Sequence, residues 1–271
     1  MAHVTHGPLV MGILNVTPDS FSDGGRYFDP AHAVARGMQM AAEGAAVVDV
    51  GGESSRPGAE PVEEAEELRR VLPVVEALSS TVRVSIDTTK PRVAREAVAA
   101  GASLVNDISG RLGALASELS VGWVSMHMRG TPRTMQRLTG YDDVVSEVHR
   151  HVLDAAAAAL GAGTGEVWVD PGIGFAKSAE QNVALLAALP ELVAAAHALG
   201  ASVLVGTSRK GFLGAFGPRA AERPLGVEER LEASLATAVW SFAAGVQMVR
   251  VHDVADTVRA AALVGGHRFA A

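Results

Sequence analysis

The chain has 271 residues, a formal net charge of −7, 4% aromatic residues and no cysteine. An acidic chain with few aromatics lacks the basic surface typical of nucleic-acid-binding proteins. The lack of cysteine excludes disulfides, thiolate nucleophiles and metals ligated by cysteine sulfur. The start, MAHVTHGP, lacks the regions of a signal peptide, and polar residues interrupt the apolar stretch 231–246 well before it reaches the length of a bilayer span. We therefore expect a cytoplasmic protein without a membrane segment.

Eight short runs of apolar and β-branched residues predict β-strands, at 9–14, 46–50, 82–86, 103–105, 122–126, 166–169, 202–205 and 246–249. Helical patterns lie between them, at 31–43, 63–78, 91–100, 142–160, 178–189 and 228–244. Apolar strands that alternate with helices indicate a parallel sheet buried on both faces, and eight such units close into a barrel. The predicted fold is a single α/β domain, a (β/α)₈ TIM barrel over 1–271. An open, doubly wound sheet is the alternative.

Polar residues follow every predicted strand. Each could be a turn residue or a helix cap when taken alone. The carboxyl ends of the strands of a barrel meet at one mouth, where active sites are built. We therefore predict an active site from these strand ends: Asn15, Asp49 with Glu53, Asp87, Asn106 with Asp107, His127, Asp170, Ser208 to Lys210, and Arg250 with His252.

Two connections are longer than a βα turn requires. Residues 16–29 follow the first strand, residues 51–60 follow the second, and both are rich in turn-forming residues. Loops of this kind are often lids or binding loops, so we expect two long mobile loops after strands 1 and 2. The basic residues are almost all arginine, and the only lysines are Lys90, Lys177 and Lys210, positions at which a compact ammonium is a candidate requirement.

The chain closely resembles the dihydropteroate synthase family. The strongest motifs are GILNVTPDSFSDGG at 12–25 and DVGGESSRPG at 49–58, which include the two long loops. Further matches are SIDTTKP at 85–91, DPGIGFAK at 170–177, Asn106-Asp107, Met126-His-Met128, Ser208-Arg-Lys210 and Arg250-Val-His252. The resemblance therefore extends from the first strand to the last.

The resemblance implies a transferase of folate biosynthesis, a target of sulfonamides, that joins a hydroxymethyl-dihydropterin pyrophosphate to p-aminobenzoate and releases pyrophosphate. It places Asp87, Asn106 and Asp170 on the polar edge of the pterin, with Lys210 on its carbonyl and ring nitrogen. Met126 and Phe175 would be apolar walls, although ordinary core packing explains Met126 equally well. Because departure of pyrophosphate leaves an electron-poor methylene, we expect a dissociative substitution stabilised by Asp87 and Asp170.

The remaining roles also come from the family. Asn15 would be the protein ligand of Mg²⁺ at the pyrophosphate, and Arg250 and His252 would bind phosphate. The two loops would form the p-aminobenzoate pocket, with Asp23 organising the closed state beside Phe21, Ser55, Arg56 and Pro57. Many members carry threonine in place of Ser55, and serine or arginine in place of Gly211, which leaves the carboxylate contact and the sulfonamide affinity open. Dimers are usual in the family, so a homodimer is expected.

Three other interpretations remain. A pterin-binding methyltransferase barrel shares the fold, but it has no need of Asn15, Arg250 and the long first loop. A Schiff-base aldolase with Lys210 as nucleophile leaves both loops without a purpose. An inactive paralogue that only binds pterin would not need intact loops.

Overall fold

The computed structural model describes residues 7–17, 30–216, 223 and 225–268. Eight parallel strands follow one another in chain order around a closed barrel, and the last strand pairs with the first. The predicted TIM barrel is confirmed, and the open sheet is excluded. The strands are β1 (Leu9–Asn15), β2 (Val47–Gly51), β3 (Arg83–Asp87), β4 (Leu104–Asp107), β5 (Gly122–Met126), β6 (Val167–Asp170), β7 (Ser202–Val205) and β8 (Met248–Val251).

Helices surround the barrel and connect its strands. They are α1 (Pro30–Ala42), α2 (Glu64–Leu78), α3 (Pro91–Ala99), α4 (Gly113–Glu118), α5 (Val144–Gly161), α6 (Ala179–Ala187), α7 (Leu189–Leu199), α8 (Leu231–Ala243) and α9 (Val254–Arg268). Local signals set several of their ends: Pro91 opens α3, a capping box from Ser178 to Gln181 opens α6, and left-handed Gly200 ends α7. The predicted helical patterns do not include α4, α7 or α9, and α4 is too short to show a helical period.

Within the described ranges, none of the helices is by itself both long and apolar enough to span a membrane. Only α6 and α7 reach this length and hydropathy as a pair, and they bend by 56° at their junction.

The barrel interior alternates between an apolar layer and a polar layer. Its apolar layer is a buried cluster of Met11, Val47, Leu104, Val124, Trp168, Leu204 and Met248. Side chains two positions apart on a strand face the same side of the sheet. The next inward positions towards the mouth therefore include Asp49, Asn106, Met126, Asp170 and Arg250. The apolar layer closes the barrel below, and the polar layer above it forms the floor of the mouth.

Most of the strands end later than the apolar pattern predicts. β3 reaches Asp87, β4 reaches Asp107, β6 reaches Asp170 and β8 reaches Val251. Polar residues suggested loops, but the hydrogen bonds of a sheet are made by the backbone, whatever the side chain. The predicted site residues of these strands are thus held on rigid barrel strands.

Two turns at the mouth have unusual backbone geometry. Ala176 and Arg209 adopt positive φ angles of 52° and 58°, a conformation that non-glycine residues rarely take. Each lies immediately before a lysine, Lys177 and Lys210 respectively. Strain of this kind persists where the surrounding structure enforces it, often at functional sites.

Candidate active site

An ion-pair network spans the floor of the mouth, with the guanidinium of Arg250 at its centre. Arg250 donates from Nε to Asp49 Oδ2 at 2.6 Å and from Nη2 to Asp87 Oδ2 at 2.7 Å. Asn106 donates from Nδ2 to the same oxygen of Asp49 at 2.8 Å. Four strands thereby place two carboxylates, an amide and a cation in one connected cluster.

Some hydrogen-bonding capacity of this floor is unused. Among the described residues of this floor, Asp49 Oδ1 and the hydroxyl of Ser85 are buried and have no hydrogen-bond partner. Buried polar atoms in native proteins are nearly always paired with protein, water or ligand. These atoms therefore point to a polar occupant of the mouth.

Of the two predicted catalytic carboxyls, Asp170 is buried and Asp87 is only 12% exposed. Burial raises the pKa of Asp87 to about 7, although Arg250 opposes the rise, and the negative charge of Asp49 adds to it. Burial also raises the pKa of Asp170, against the opposing charge of Lys210. Asp170 Oδ1 accepts a hydrogen bond from the backbone N–H of Gly172 at 2.7 Å. Both carboxyls can accept hydrogen bonds from the donors on the edge of a heterocycle.

Lys210 forms the opposite side of the mouth together with the turn after β6. Its Nζ donates to the carbonyl of Ile173 and lies 4.5 Å from the ring centroid of Phe175. Burial lowers the pKa of Lys210 to about 8, although Asp170 favours its charge. Gly174, with φ +83°, approaches so closely that an added Cβ would lie 2.9 Å from Lys210 Cδ. The turn therefore has to be glycine where the lysine stem passes.

A second buried lysine supports this turn from below. Lys177 Nζ donates to the carbonyls of Gly172 and Phe175, each at 2.9 Å, and contacts Nδ1 of His127 at 3.1 Å. Burial lowers the pKa of Lys177 to about 7 and that of His127 to about 3. The sequence alone assigned no role to Lys177. The signal that could have predicted one is that this chain retains only three lysines.

The outer rim holds the residues predicted for phosphate binding. His252 Nδ1 lies 3.0 Å from the hydroxyl of Ser208, which also accepts the backbone N–H of His252 at 3.1 Å. Burial, together with the charges of Arg250 and Arg209, lowers the pKa of His252 to about 3, so the ring is neutral. Arg250 was also expected at phosphate, yet two of its donors are engaged by carboxylates, which leaves Nη1 for a ligand.

The described part of the chain offers little for a metal. No group of three or more His, Asp or Glu side chains that could hold a metal ion occurs among the described residues. Asn15, the predicted ligand, ends β1 at the mouth and is partly exposed. Its amide oxygen is a hard donor of the type that Mg²⁺ prefers, and Mg²⁺ on a phosphate substrate often has few protein ligands. The donor chemistry fits Mg²⁺ as a single contact.

The second loop meets the floor of the mouth. Ser54, Ser55 and Asp87 line one small cleft, which brings Ser55 beside the predicted pterin carboxylate. Arg56 and Pro57 are exposed beyond it, and the N–H of Gly58 donates to the carbonyl of Pro132 in the loop after β5 at 3.0 Å. Phe21 and Asp23, predicted in the first loop, lie outside the described residues.

One structural role was missed by sequence reasoning. Asp49 is fully buried and joins Arg250 to Asn106, yet the strand pattern marked it only as one polar strand end among several. The alternation along β2 was the usable signal, because Asp49 lies two positions after Val47 of the apolar layer.

Comparison with known proteins gives this architecture its class. The family model described as pterin binding enzyme matches residues 11–252, which is most of the barrel. The fold and the polar mouth thus define a pterin-binding enzyme of the TIM-barrel type.

Individual relatives narrow the class. Dihydropteroate synthase of Mycobacterium leprae is 47% identical over 270 residues, which cover 94% of this chain and 92% of that protein. The structure of Xanthomonas albilineans dihydropteroate synthase with 4-aminobenzoic acid has a TM-score of 0.85 and 44% identity, covering 97% of this chain and 94% of that one. Its complex with 7,8-dihydropteroate has a TM-score of 0.82 and 42% identity, covering 98% and 95%. The chain belongs to the dihydropteroate synthase family.

Proposed function

We propose that this chain is a transferase that condenses hydroxymethyl-dihydropterin pyrophosphate with p-aminobenzoate to give dihydropteroate and pyrophosphate, a step of folate biosynthesis. The observation that carries the proposal is the polar floor of the barrel, where Asp87, Asn106 and Asp170 lie at the carboxyl ends of their strands and Lys210 lies against the ring of Phe175. The Xanthomonas albilineans relative binds 4-aminobenzoic acid in one structure and 7,8-dihydropteroate in another, which are the acceptor and the product of this reaction.

The pterin is held by its edge. A reduced pterin is flat and presents donors and acceptors on one side, so a buried carboxyl, an amide and an ammonium can pair with it. Asp170 and Asn106 face this edge, and Lys210 reaches the carbonyl and ring nitrogen. Phe175 is the apolar wall next to Lys210, and Met126, which is 4% exposed at the end of β5, is the second apolar wall.

The leaving group occupies the outer rim. Neutral His252 donates one ring N–H to a phosphate oxygen, and the free Nη1 of Arg250 is directed to another. Asn15 would hold Mg²⁺ against the pyrophosphate, where the ion would neutralise the charge that builds up on departure.

In the proposed mechanism, the bond from the methylene to pyrophosphate breaks before the bond to the amine forms. Departure of pyrophosphate leaves positive charge on the pterin methylene, and buried Asp87 and Asp170 stabilise that charge in a site of low dielectric. The amine of p-aminobenzoate then adds with its lone pair and loses a proton. The acceptor is assigned to the second loop, with Ser55, Arg56 and Pro57 as its pocket, and Phe21 and Asp23 of the first loop are assigned to the same pocket from the family motif. Arg56, which is exposed on this loop, is the proposed partner of the acceptor's carboxylate.

A homodimer is part of the proposal. Two apolar side chains on the outer face of α8, Val239 and Trp240, are 37% and 41% exposed, and Leu263 on the neighbouring α9 is 80% exposed. Apolar groups gathered on adjacent helices mark protein contact surfaces. We also assign the protein to the cytoplasm, because a pterin pyrophosphate carries too much charge to cross a bilayer unaided.

A pyrophosphate-release assay tests the function. With the pterin pyrophosphate as the sole substrate, release should be slow, and p-aminobenzoate should stimulate it with stoichiometric formation of dihydropteroate. Release that does not depend on p-aminobenzoate would indicate a hydrolase. Pterin binding without any turnover would indicate an inactive paralogue.

A further inference from the structure

Lys90 lies outside the pterin site and joins three segments. It follows β3 as the cap residue of α3. Its Nζ donates to Glu53 Oε2 and to the backbone carbonyl of Val62, each at 2.7 Å, and it also pairs with Glu67 Oε2. One ammonium therefore uses all three of its donors.

Two of these partners, Glu53 and Val62, lie at the two ends of the second loop. Glu53 begins the loop after β2, and Val62 lies at its end, just before α2. The same oxygen of Glu53 also accepts the backbone N–H of Val62 at 2.8 Å. Lys90 thereby ties together both ends of the segment 54–61, which carries Ser55, Arg56 and Pro57. We call Glu53, Val62 and Lys90 the loop neck.

The third partner connects the neck to the barrel. Glu67 on α2 is only 1% exposed, and its Oε1 accepts the hydroxyl of Thr88 at 2.7 Å. Thr88 directly follows Asp87, and its hydroxyl also accepts the backbone N–H of Lys90 at 3.2 Å. A buried carboxylate requires a charged or hydrogen-bonded partner. The neck is thus built onto the strand that ends in the pterin carboxylate.

We propose that Lys90 is a positioning residue for p-aminobenzoate, because it fixes the neck of the loop that forms the acceptor pocket. Lys90 touches neither substrate; it sets where Ser55 and Arg56 stand relative to Asp87. The inference rests on the proposed function, since it assigns the acceptor to this loop. An ammonium suits the position because it donates in three directions from one point, whereas the two carboxylates and the carbonyl offer acceptors only.

The cluster could serve the fold alone, and its members allow the two roles to be separated. Glu67 attaches Lys90 to the scaffold, whereas Glu53 attaches it to the loop. Glu53→Gln therefore weakens the neck while leaving the buried pair of Lys90 and Glu67 intact. A matched control is Arg95→Met on the same helix, which breaks an ion pair with Glu118 at 2.7 Å that is exposed and remote from the loop.

The experiment measures the KM of each substrate, the melting temperature, and amide hydrogen exchange of the peptide spanning 54–62. In Glu53→Gln and Lys90→Met the KM for p-aminobenzoate should rise by about tenfold or more, while the KM for the pterin substrate stays within about threefold. Exchange across 54–62 should quicken in both variants. Lys90→Arg should recover a large part of the loss, and Arg95→Met should match the wild type throughout.

Equal changes in both KM values, or a lower melting temperature with an unchanged KM for p-aminobenzoate, would overturn the proposal. If Lys90→Met does not fold, Glu53→Gln decides alone. A wild type that makes no dihydropteroate refutes the proposed function instead. In that case the exchange measurement still tests the neck, and unchanged exchange in Glu53→Gln would refute it.

Discussion

Lys177 places its ammonium 3.1 Å from Nδ1 of His127, and both groups are buried beneath the turn that carries Phe175. Burial lowers the pKa of His127 to about 3, which keeps the imidazole neutral and able to accept a hydrogen bond from the lysine. Lys177 thereby supports the turn between Asp170 and Phe175.

Lys177→Met should lower both stability and pterin affinity. Methionine fills the volume but leaves the carbonyls of Gly172 and Phe175 without their donor, and each unsatisfied buried group costs about 1–3 kcal/mol. We expect a melting temperature several degrees lower and a weaker calorimetric Kd for a pterin. Gln136→Ala is the control, since Gln136 contacts the same turn through a long bond of 3.5 Å from an exposed position. A lower melting temperature with unchanged pterin affinity would limit Lys177 to a role in the fold.

Asp87→Asn and Asp170→Asn should each reduce pterin affinity, and turnover by about tenfold or more, since a hydrogen bond to a charged group contributes about 1.5–3 kcal/mol. The amide preserves the shape of each side chain but removes the charge that stabilises the methylene cation. Asp87→Asn should also loosen Arg250, which loses one of its two carboxylate partners. Calorimetry and steady-state kinetics provide the two measurements. Near wild-type values in both for either variant would refute its assignment.

Lys210→Arg should inactivate the enzyme, although arginine is the common basic residue of this chain. The lysine stem passes against Gly174, and its ammonium fits between the carbonyl of Ile173 and the ring of Phe175. A planar guanidinium is larger and would occupy space assigned to the pterin. Arg209→Lys, one position earlier, provides the comparison: it alters the ion pair with Asp253 outside the pterin floor and should retain most activity. Retention of most activity in Lys210→Arg would contradict the assignment.

Pterin affinity should fall as the pH rises through about 8, because burial lowers the pKa of Lys210 to that value and the ammonium is then lost. Stability should change in the opposite direction. The unfolded chain keeps this proton up to the ordinary value of 10.5, so between the two values it binds more protons than the folded chain, and stability from Lys210 rises with pH. The lowered pKa of Lys177 makes stability rise with pH in the same way, beginning at about pH 7.

Calorimetric titration of a pterin and thermal melting at a series of pH values check both trends. Lys210→Met shows how much of the pH dependence belongs to the ligand itself. An affinity that is flat across this range, or one that falls together with the melting temperature, would contradict the role of the ammonium.

The sequence alone determined the barrel and its functional rim. Alternation of strands and helices is a local property, and the position of Asp87, Asn106 and Asp170 at strand ends follows from it, because all parallel strands of a barrel end at the same mouth. The sequence also singled out three lysines, and in the structure Lys177 is buried in the turn after β6 and Lys210 is half-buried in the turn after β7.

Only the tertiary structure decided how these residues pair. Arg250 reaches Asp49 across 201 positions and Asp87 across 163, and Lys177 reaches His127 across 50. Which buried groups share an ion pair depends on the closure and register of the barrel, and no local pattern encodes either. Asp49 therefore appeared as one polar strand end among eight, while closure of the barrel makes it the residue that joins Asn106 to Arg250. The partners of Lys90 have the same origin, because its ammonium joins helix α2 to both ends of a loop, which only the folded chain brings together.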